Sequence, residues 1–269
     1  MLKLFRINIS LMVVFSAYFG FYLSGEALNF KVVSVIFAVL LHSFGNSVIN
    51  QVQERDTDKL MPRTMHRPVV TGMISPVKAL ALGIFLIGLS LIIPLITGHY
   101  FVLLLLVINL VIYNVIYTPL KRKYSYALLV GSLCGAIPPL IGWGIYHNPD
   151  SLNRIVLIAA IFYLWQVPHF LFLSEKYRDE YKNAGIRLII NELGYRKYCN
   201  ILKAWIFCYL FALIFAIALL LQSDYLKIAV ILLETIIIIM IMTFLKNKAG
   251  AKFSFINISI LIFVFSFFL

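Results

Sequence analysis

Charge is what this sequence lacks most. Only 13% of its 269 residues are Asp, Glu, Lys or Arg, and eleven of those are acidic against 23 basic. A soluble globular domain carries roughly a quarter of its residues as charges, so this chain cannot cover an ordinary water-facing surface. Cysteine is scarce too. Cys134, Cys199 and Cys208 form no CxxC pair and sit in or beside apolar stretches, which speaks against a disulfide framework or a zinc site and for small apolar packing residues. No linker or low-complexity tract divides the chain, so residues 1–269 read as a single domain. No small-residue cleavage site follows the first apolar run, so that run is read as a membrane span and not as a secretory signal. With no targeting extension ahead of it, a prokaryotic plasma membrane is expected over an organelle.

What the chain has instead is apolar length. Hydrophobic residues make up 62% of it, in stretches near 7–23, 30–49, 79–97, 100–117, 126–146, 155–174, 201–222, 226–244 and 253–269. Each approaches the roughly 20 residues that cross a bilayer as a helix. The expectation is an all-α polytopic membrane protein, a bundle of nine transmembrane helices. Placing the N-terminus in the cytoplasm puts every Lys and Arg except Lys31, Arg154 and Lys227 on the cytoplasmic side, including Lys246, Lys248 and Lys252, as short cytoplasmic loops require. The net charge of +12 therefore calls for no nucleic-acid partner. The lipid bilayer, with anionic headgroups, and phosphate are its natural counterions.

Acidic residues contribute little to topology, yet seven of them gather in the connections 50–78 and 175–200: Glu54, Asp56, Asp58, Glu175, Asp179, Glu180 and Glu192. In the first connection Asn50, Glu54 and Asp58 fall at i, i+4 and i+8, so on a continuing helix they share one face. Paired carboxylates suit a hard divalent cation, and the surrounding Arg63 and Arg67 suit phosphate oxygens. The segment reads as a metal-diphosphate site at a membrane surface.

The run Asn50-Gln-Val-Gln-Glu54-Arg-Asp56-Thr-Asp58, followed by Met61-Pro-Arg63-Thr64 and Arg67-Pro68, resembles the first aspartate-rich motif of the UbiA superfamily of intramembrane prenyltransferases. Three further segments agree in order: Tyr117-Thr118 with Lys121-Arg122, then Gly131 to Trp143, then Trp165-Gln-Val-Pro168-His169-Phe170 leading to Asp179-Glu180-Tyr181. The last of these is similar to the protoheme IX farnesyltransferase branch. Where that family usually has Asp, this chain has Glu54 and Glu180, which moves each carboxylate outward by about 1.3 to 1.5 Å on bond-length grounds.

The resemblance implies transfer of a farnesyl group from farnesyl diphosphate to a vinyl carbon of heme b, with Mg²⁺ as cofactor. It assigns Asn50, Glu54, Asp58 and Asp179 to metal, with Asp56 and Glu180 as further catalytic carboxylates. Arg63, Arg67, Lys121 and Arg122 are expected to hold the diphosphate, and Trp165 and His169 to contact the heme. A downstream heme-modifying enzyme or terminal oxidase is a candidate partner. Two alternatives stay open on the residues alone: a prenyltransferase acting on a quinone precursor or another acceptor, and a membrane transporter. Glu234, alone in the eighth apolar stretch, is read as a carboxyl bonded to a neighbouring helix.

Overall fold

The computed structural model describes residues 2–243 and 249–269, so Lys246 and Lys248 lie outside the described residues. All the regular secondary structure among those residues is helical, with no strand. Hydrocarbon leaves backbone N–H and C=O groups no water to bond, and helices satisfy them within one segment. Short α1 (Leu2–Phe5) is followed by α2 (Ile7–Tyr22), α3 (Phe30–Gln53), α4 (Arg55–Asp58) and α5 (Pro76–Ile96). Next comes a rod made of α6 (Tyr100–Leu110), a π-helical stretch Val111–Tyr117 and α7 (Thr118–Lys123). Then come α8 (Ala127–Trp143), α9 (Leu152–Lys176), α10 (Arg178–Asn183), α11 (Ile189–Leu220), α12 (Asp224–Thr243) and α13 (Ala249–Phe265).

Six of these segments are long and apolar enough to cross a membrane: 30–53, 76–96, 100–123, 149–176, 189–220 and 224–243. Three shorter apolar helices, α2, α8 and α13, cover the remaining apolar stretches. This is a multi-pass membrane protein. α11 starts a dozen residues before its apolar stretch because the polar run after Gly194 is helical as well, and Gly194 (φ 77°) kinks it there. Capping residues mark other starts: Asn29 accepts from Lys31 N and Val32 N at 3.0 and 3.2 Å, and Ser75 precedes Pro76 at the head of α5.

Packing relies on small residues, since lipid tails are as apolar as Leu and only close approach rewards helix contact. At the α3–α5 crossing a Cβ on Gly45 would lie 2.8 Å from Ile87 Cγ1, and one on Gly83 would lie 2.7 Å from Ile49 Cγ1. The α2–α8 crossing is closer still: a Cβ on Gly20 would strike the Pro139 carbonyl, and one on Gly142 the Ala17 carbonyl. α8 thus holds α2 on one side, while on the other it packs against α9. Its neighbours there bury the larger core, which includes Phe172, Tyr198, Tyr209 and Phe263. A second core joins α2, α3, α6 and α8 through Val32, Leu106 and Ile141.

Gly142→Val should therefore destabilise the protein by about 1–3 kcal/mol or more, the usual cost of forcing methyl groups into a packed contact. A lower thermal midpoint in detergent, with no comparable drop for Gly88→Val, whose Cβ position is open, would be the expected result.

Candidate active site

α3 stops at Gln53 and α4 begins at Arg55, leaving Glu54 at the joint (φ −95°, ψ 3°). Register survives the break, because Glu54 N donates to Asn50 O at 2.9 Å and Asp58 N to Glu54 O at 2.8 Å. Asn50, Glu54 and Asp58 accordingly keep a common face, and all three are buried. Asp56, two residues beyond Glu54, must point elsewhere. It is exposed, pairs with Lys59 at 3.2 Å and does not join the cluster.

Three cations from three parts of the chain converge on Glu54. Lys121 in α7 pairs with Oε1, while Arg6 and Arg67 each approach Oε2 at 3.7 Å. Arg67 also pairs with Asp58 Oδ2. Arg6 donates to Asn50 Oδ1 at 2.7 Å and to the Tyr113 hydroxyl at 3.2 Å, and Asn50 Nδ2 donates to Thr118 Oγ1 at 3.2 Å. The π-helical turn presents this wall of the site, bringing Tyr113 to Arg6 and placing the Asn114 carbonyl 3.0 Å from Gln53 Nε2. Arg122 donates to the Gln53 carbonyl and ties α7 to the end of α3.

The two carboxyls respond in opposite directions. Burial alone would raise Glu54, but Lys121, Arg6 and Arg67 hold it down, from the ordinary 4.5 to about 2. Burial raises Asp58 more than Arg67 lowers it, with the nearby Glu54 charge adding to the rise. Burial also lowers Arg67, and Arg6 pushes the same way. Two carboxylates beneath three cations leave a surplus of positive charge, the requirement for an anion.

The second charged connection reaches the first through Arg63. Its backbone N–H donates to Glu180 Oε2 at 3.3 Å, its Nη2 donates to the Tyr181 hydroxyl at 3.3 Å, and its guanidinium lies 4.7 Å from the Tyr177 ring centre. Both connections thus meet at one end of the bundle. Asp179 is exposed and makes no ion pair among the described residues. Trp165 and His169 turn to α13 instead of the carboxylates: Trp165 Nε1 donates to Ile256 O at 2.8 Å, and His169 Nδ1 lies 2.7 Å from Asn257 Oδ1.

No three His, Cys, Asp or Glu side chains stand close enough to chelate a metal unaided among the described residues. The donor set does fit a hard cation that takes one or two carboxylates and completes its shell from its own ligand. Asp58 Oδ1 is buried without a hydrogen-bond partner, and Asn50 and Glu54 offer oxygens on the same face.

The sequence matches the UbiA prenyltransferase family over residues 13–267. This chain belongs to that family. A protoheme IX farnesyltransferase from Geobacter sulfurreducens is 41% identical over 193 residues, 72% of this chain and 71% of that protein. Several solved structures share the fold. A UbiA homolog from Aeropyrum pernix has a TM-score of 0.80 at 20% identity and covers 98% of each chain. One from Archaeoglobus fulgidus, bound to GPP and Mg²⁺, has a TM-score of 0.71 at 17% identity over 99% of this chain and 97% of that one.

In this UbiA family member Arg6 is the site residue that sequence reasoning missed. It lies ahead of the matched residues and reads only as a topogenic charge. Its one local oddity is a left-handed φ of 47° between α1 and α2, a conformation held by the contacts its side chain makes. Glu234 stays outside the cluster. Its Oε2 accepts from Ser259 Oγ at 2.6 Å, and that hydroxyl also meets the Tyr209 hydroxyl at 2.8 Å, so it bonds to neighbouring helices as expected. Glu234→Gln should keep nearly full turnover in a prenyl-transfer assay.

The folded Glu54 carboxyl binds its proton more weakly than the unfolded one. Its contribution is therefore complete above about pH 4.5 and lost as pH falls toward about 2. Asp58, being raised, contributes in the opposite sense. Thermal midpoints measured from pH 6 to pH 3 should fall less for Glu54→Gln than for the wild type, and parallel curves would refute the pairing.

Proposed function

We propose that this protein transfers the farnesyl group of farnesyl diphosphate to a vinyl group of heme b, giving heme O. The observation that carries this reading is the 41% identity, over most of both chains, to a protein named protoheme IX farnesyltransferase. The buried carboxylates under three cations supply chemistry that suits it. In the reaction the donor's C–O bond breaks and its electron pair leaves on the diphosphate. A C–C bond forms to the vinyl carbon, and the resulting cation takes up water and releases a proton.

Asn50, Glu54, Asp58 and Asp179 are assigned to Mg²⁺, with Glu180 in support. Bound Mg²⁺ would neutralise charge growing on the departing oxygens. Arg67 and Lys121, which now occupy the two carboxylates, are placed to exchange those partners for diphosphate oxygens, with Arg6 beside them and Arg63 and Arg122 at the rim. Preformed cations in a site closed to water stabilise a leaving anion far better than solvent does. Trp165 and His169 are assigned to the heme. The His169–Asn257 contact puts the ring proton on Nδ1 if Asn257 accepts, which leaves Nε2 as the free lone pair.

The same reading includes nine membrane crossings, a cytoplasmic N-terminus and an active site at the cytoplasmic face of a prokaryotic plasma membrane. The distribution of Lys and Arg supports that orientation. A downstream heme-modifying enzyme or terminal oxidase is the partner expected to take the product.

Purified protein incubated with heme b, farnesyl diphosphate and Mg²⁺ should yield a farnesylated heme on chromatography, and EDTA should abolish it. Asp58→Asn and Arg67→Ala should each lower the rate by about 10²–10³-fold, as removal of a transition-state charge stabiliser does. Full activity in both variants would remove the site assignment.

A further inference from the structure

The seam between α9 and α13 holds a histidine with one ring nitrogen fixed and the other bare. His169 Nδ1 lies 2.7 Å from Asn257 Oδ1. An amide oxygen can only accept, so the ring proton sits on Nδ1 and the lone pair on Nε2. Aromatic neighbours hold the ring as well, since the Trp165 and Phe253 ring centres each lie 4.8 Å from it. Nε2 has no hydrogen-bond partner among the described residues, yet it is not sealed inside protein. His42 is the contrast: its Nδ1 lies 3.2 Å from Ser90 Oγ, and its Nε2 is buried with nothing to bond. Of these two histidines, only His169 offers its lone pair to an incoming molecule.

Contacts on both sides keep α13 in register against α9. Trp165 Nε1 donates to Ile256 O at 2.8 Å. Nearer the charged end, Lys252 Nζ reaches both oxygens of Glu175, at 3.1 and 3.2 Å, and the Tyr198 hydroxyl of α11 lies 3.2 Å from Glu175 Oε2. The side chains of this ion pair are only 7% and 13% exposed, so its desolvation is offset only while the geometry is kept. Asn257 is thereby delivered to His169.

A cation stands on the same face. Lys176 lies seven residues beyond His169 on α9, two helical turns, which puts it about 10 Å along the axis and nearly in line. Phe253 joins the two, because Lys176 Nζ is 5.5 Å from the ring centre that also flanks His169. Lys252 is occupied by Glu175, whereas Lys176 is exposed and makes no ion pair among the described residues. A neutral nitrogen ligand, aromatic walls and a free ammonium two turns away fit a flat metal chelate with carboxylates at its edge. An iron porphyrin with carboxylate arms is such a molecule. A ring nitrogen whose opposite N–H is tied to an oxygen is also the usual form of a metal-bound histidine, and the tie raises its basicity.

We propose that Asn257 is a positioning residue that presents His169 Nε2 to the iron of the acceptor heme, and that Lys176 pairs with one of the heme carboxylates. The identity of the acceptor rests on the farnesyl-transfer reading given above.

The test is a titration of the purified full-length protein with reduced heme b, followed by the Soret band and by the iron–histidine stretch in resonance Raman spectra. Wild type should show that stretch and His169→Ala should not. Asn257→Leu should raise the heme Kd by about 10–100-fold, the usual cost of removing a ligand's hydrogen-bond partner, and move the stretch to lower frequency. Asn257→Asp, which still accepts, should restore both. Binding lost in the Asp variant as well, or a stretch and Kd unchanged in Asn257→Leu, overturns the positioning role. Lys176→Gln should weaken heme b by about tenfold, the lower end for a hydrogen bond to a charged group, and leave the dimethyl ester of heme b unaffected. Unsubstituted protein should likewise bind the ester about tenfold more weakly than the free acid. Equal binding of acid and ester to wild type overturns the Lys176 pairing. None of these readouts needs farnesyl diphosphate. Heme bound with both signatures but never farnesylated supports the seam and sinks the farnesyl-transfer reading, while farnesylation at a normal rate with no iron–histidine band sinks the seam alone.

Discussion

Glu54 sits at the joint between two helices with Lys121, Arg6 and Arg67 around it, and most of the site's geometry follows from that one knot of charge. A buried carboxylate without partners costs several kcal/mol, and so does each buried cation. The loop after α4, the end of the α6–α7 rod and the α1–α2 junction must therefore all be in place before any of these ions is satisfied. The knot sets the position of the π-helical turn, because Tyr113 has to meet Arg6, and it fixes the otherwise unfavourable backbone of Arg6. It also stores cationic side chains where a diphosphate can claim them, so binding exchanges one set of ion pairs for another and buries little new charge.

The scaffold that holds this knot is built by contact of small residues. Gly20 and Gly142 let α2 and α8 touch along their backbones, and Gly45 and Gly83 do the same for α3 and α5. Rigid crossings of this kind suit a site whose ions need fixed distances, since a shift of a fraction of an ångström in α3 relative to α7 would separate Glu54 from Lys121.

Much of this was legible in the sequence, for physical reasons. Apolar runs near the bilayer's thickness leave little choice but helix, and the i, i+4, i+8 placement of Asn50, Glu54 and Asp58 survives even a break in the helix because the backbone bonds bridge it. Asp56 shows the limit of counting charges in a motif: two residues of offset turned it to solvent. Trp165 and His169, adjacent in sequence to the second charged connection, face α13 because a helix aims each side chain by its own angle and not by its distance along the chain. Arg6 was illegible because its role depends on partners 44 to 107 residues away in sequence, Asn50, Glu54 and Tyr113, and on the left-handed turn that swings it inward.

That separation has a consequence for how the protein is made. A ribosome feeding this chain into the membrane releases Arg6 first, Glu54 next and Lys121 only after the fourth apolar segment has emerged. Until then the carboxylate has at most part of its retinue, and the early segments must wait, half assembled, beside the insertion machinery. Charge pairing here works as a late latch on biogenesis: the first four apolar segments have a reason to stay together as one unit before the remaining ones arrive.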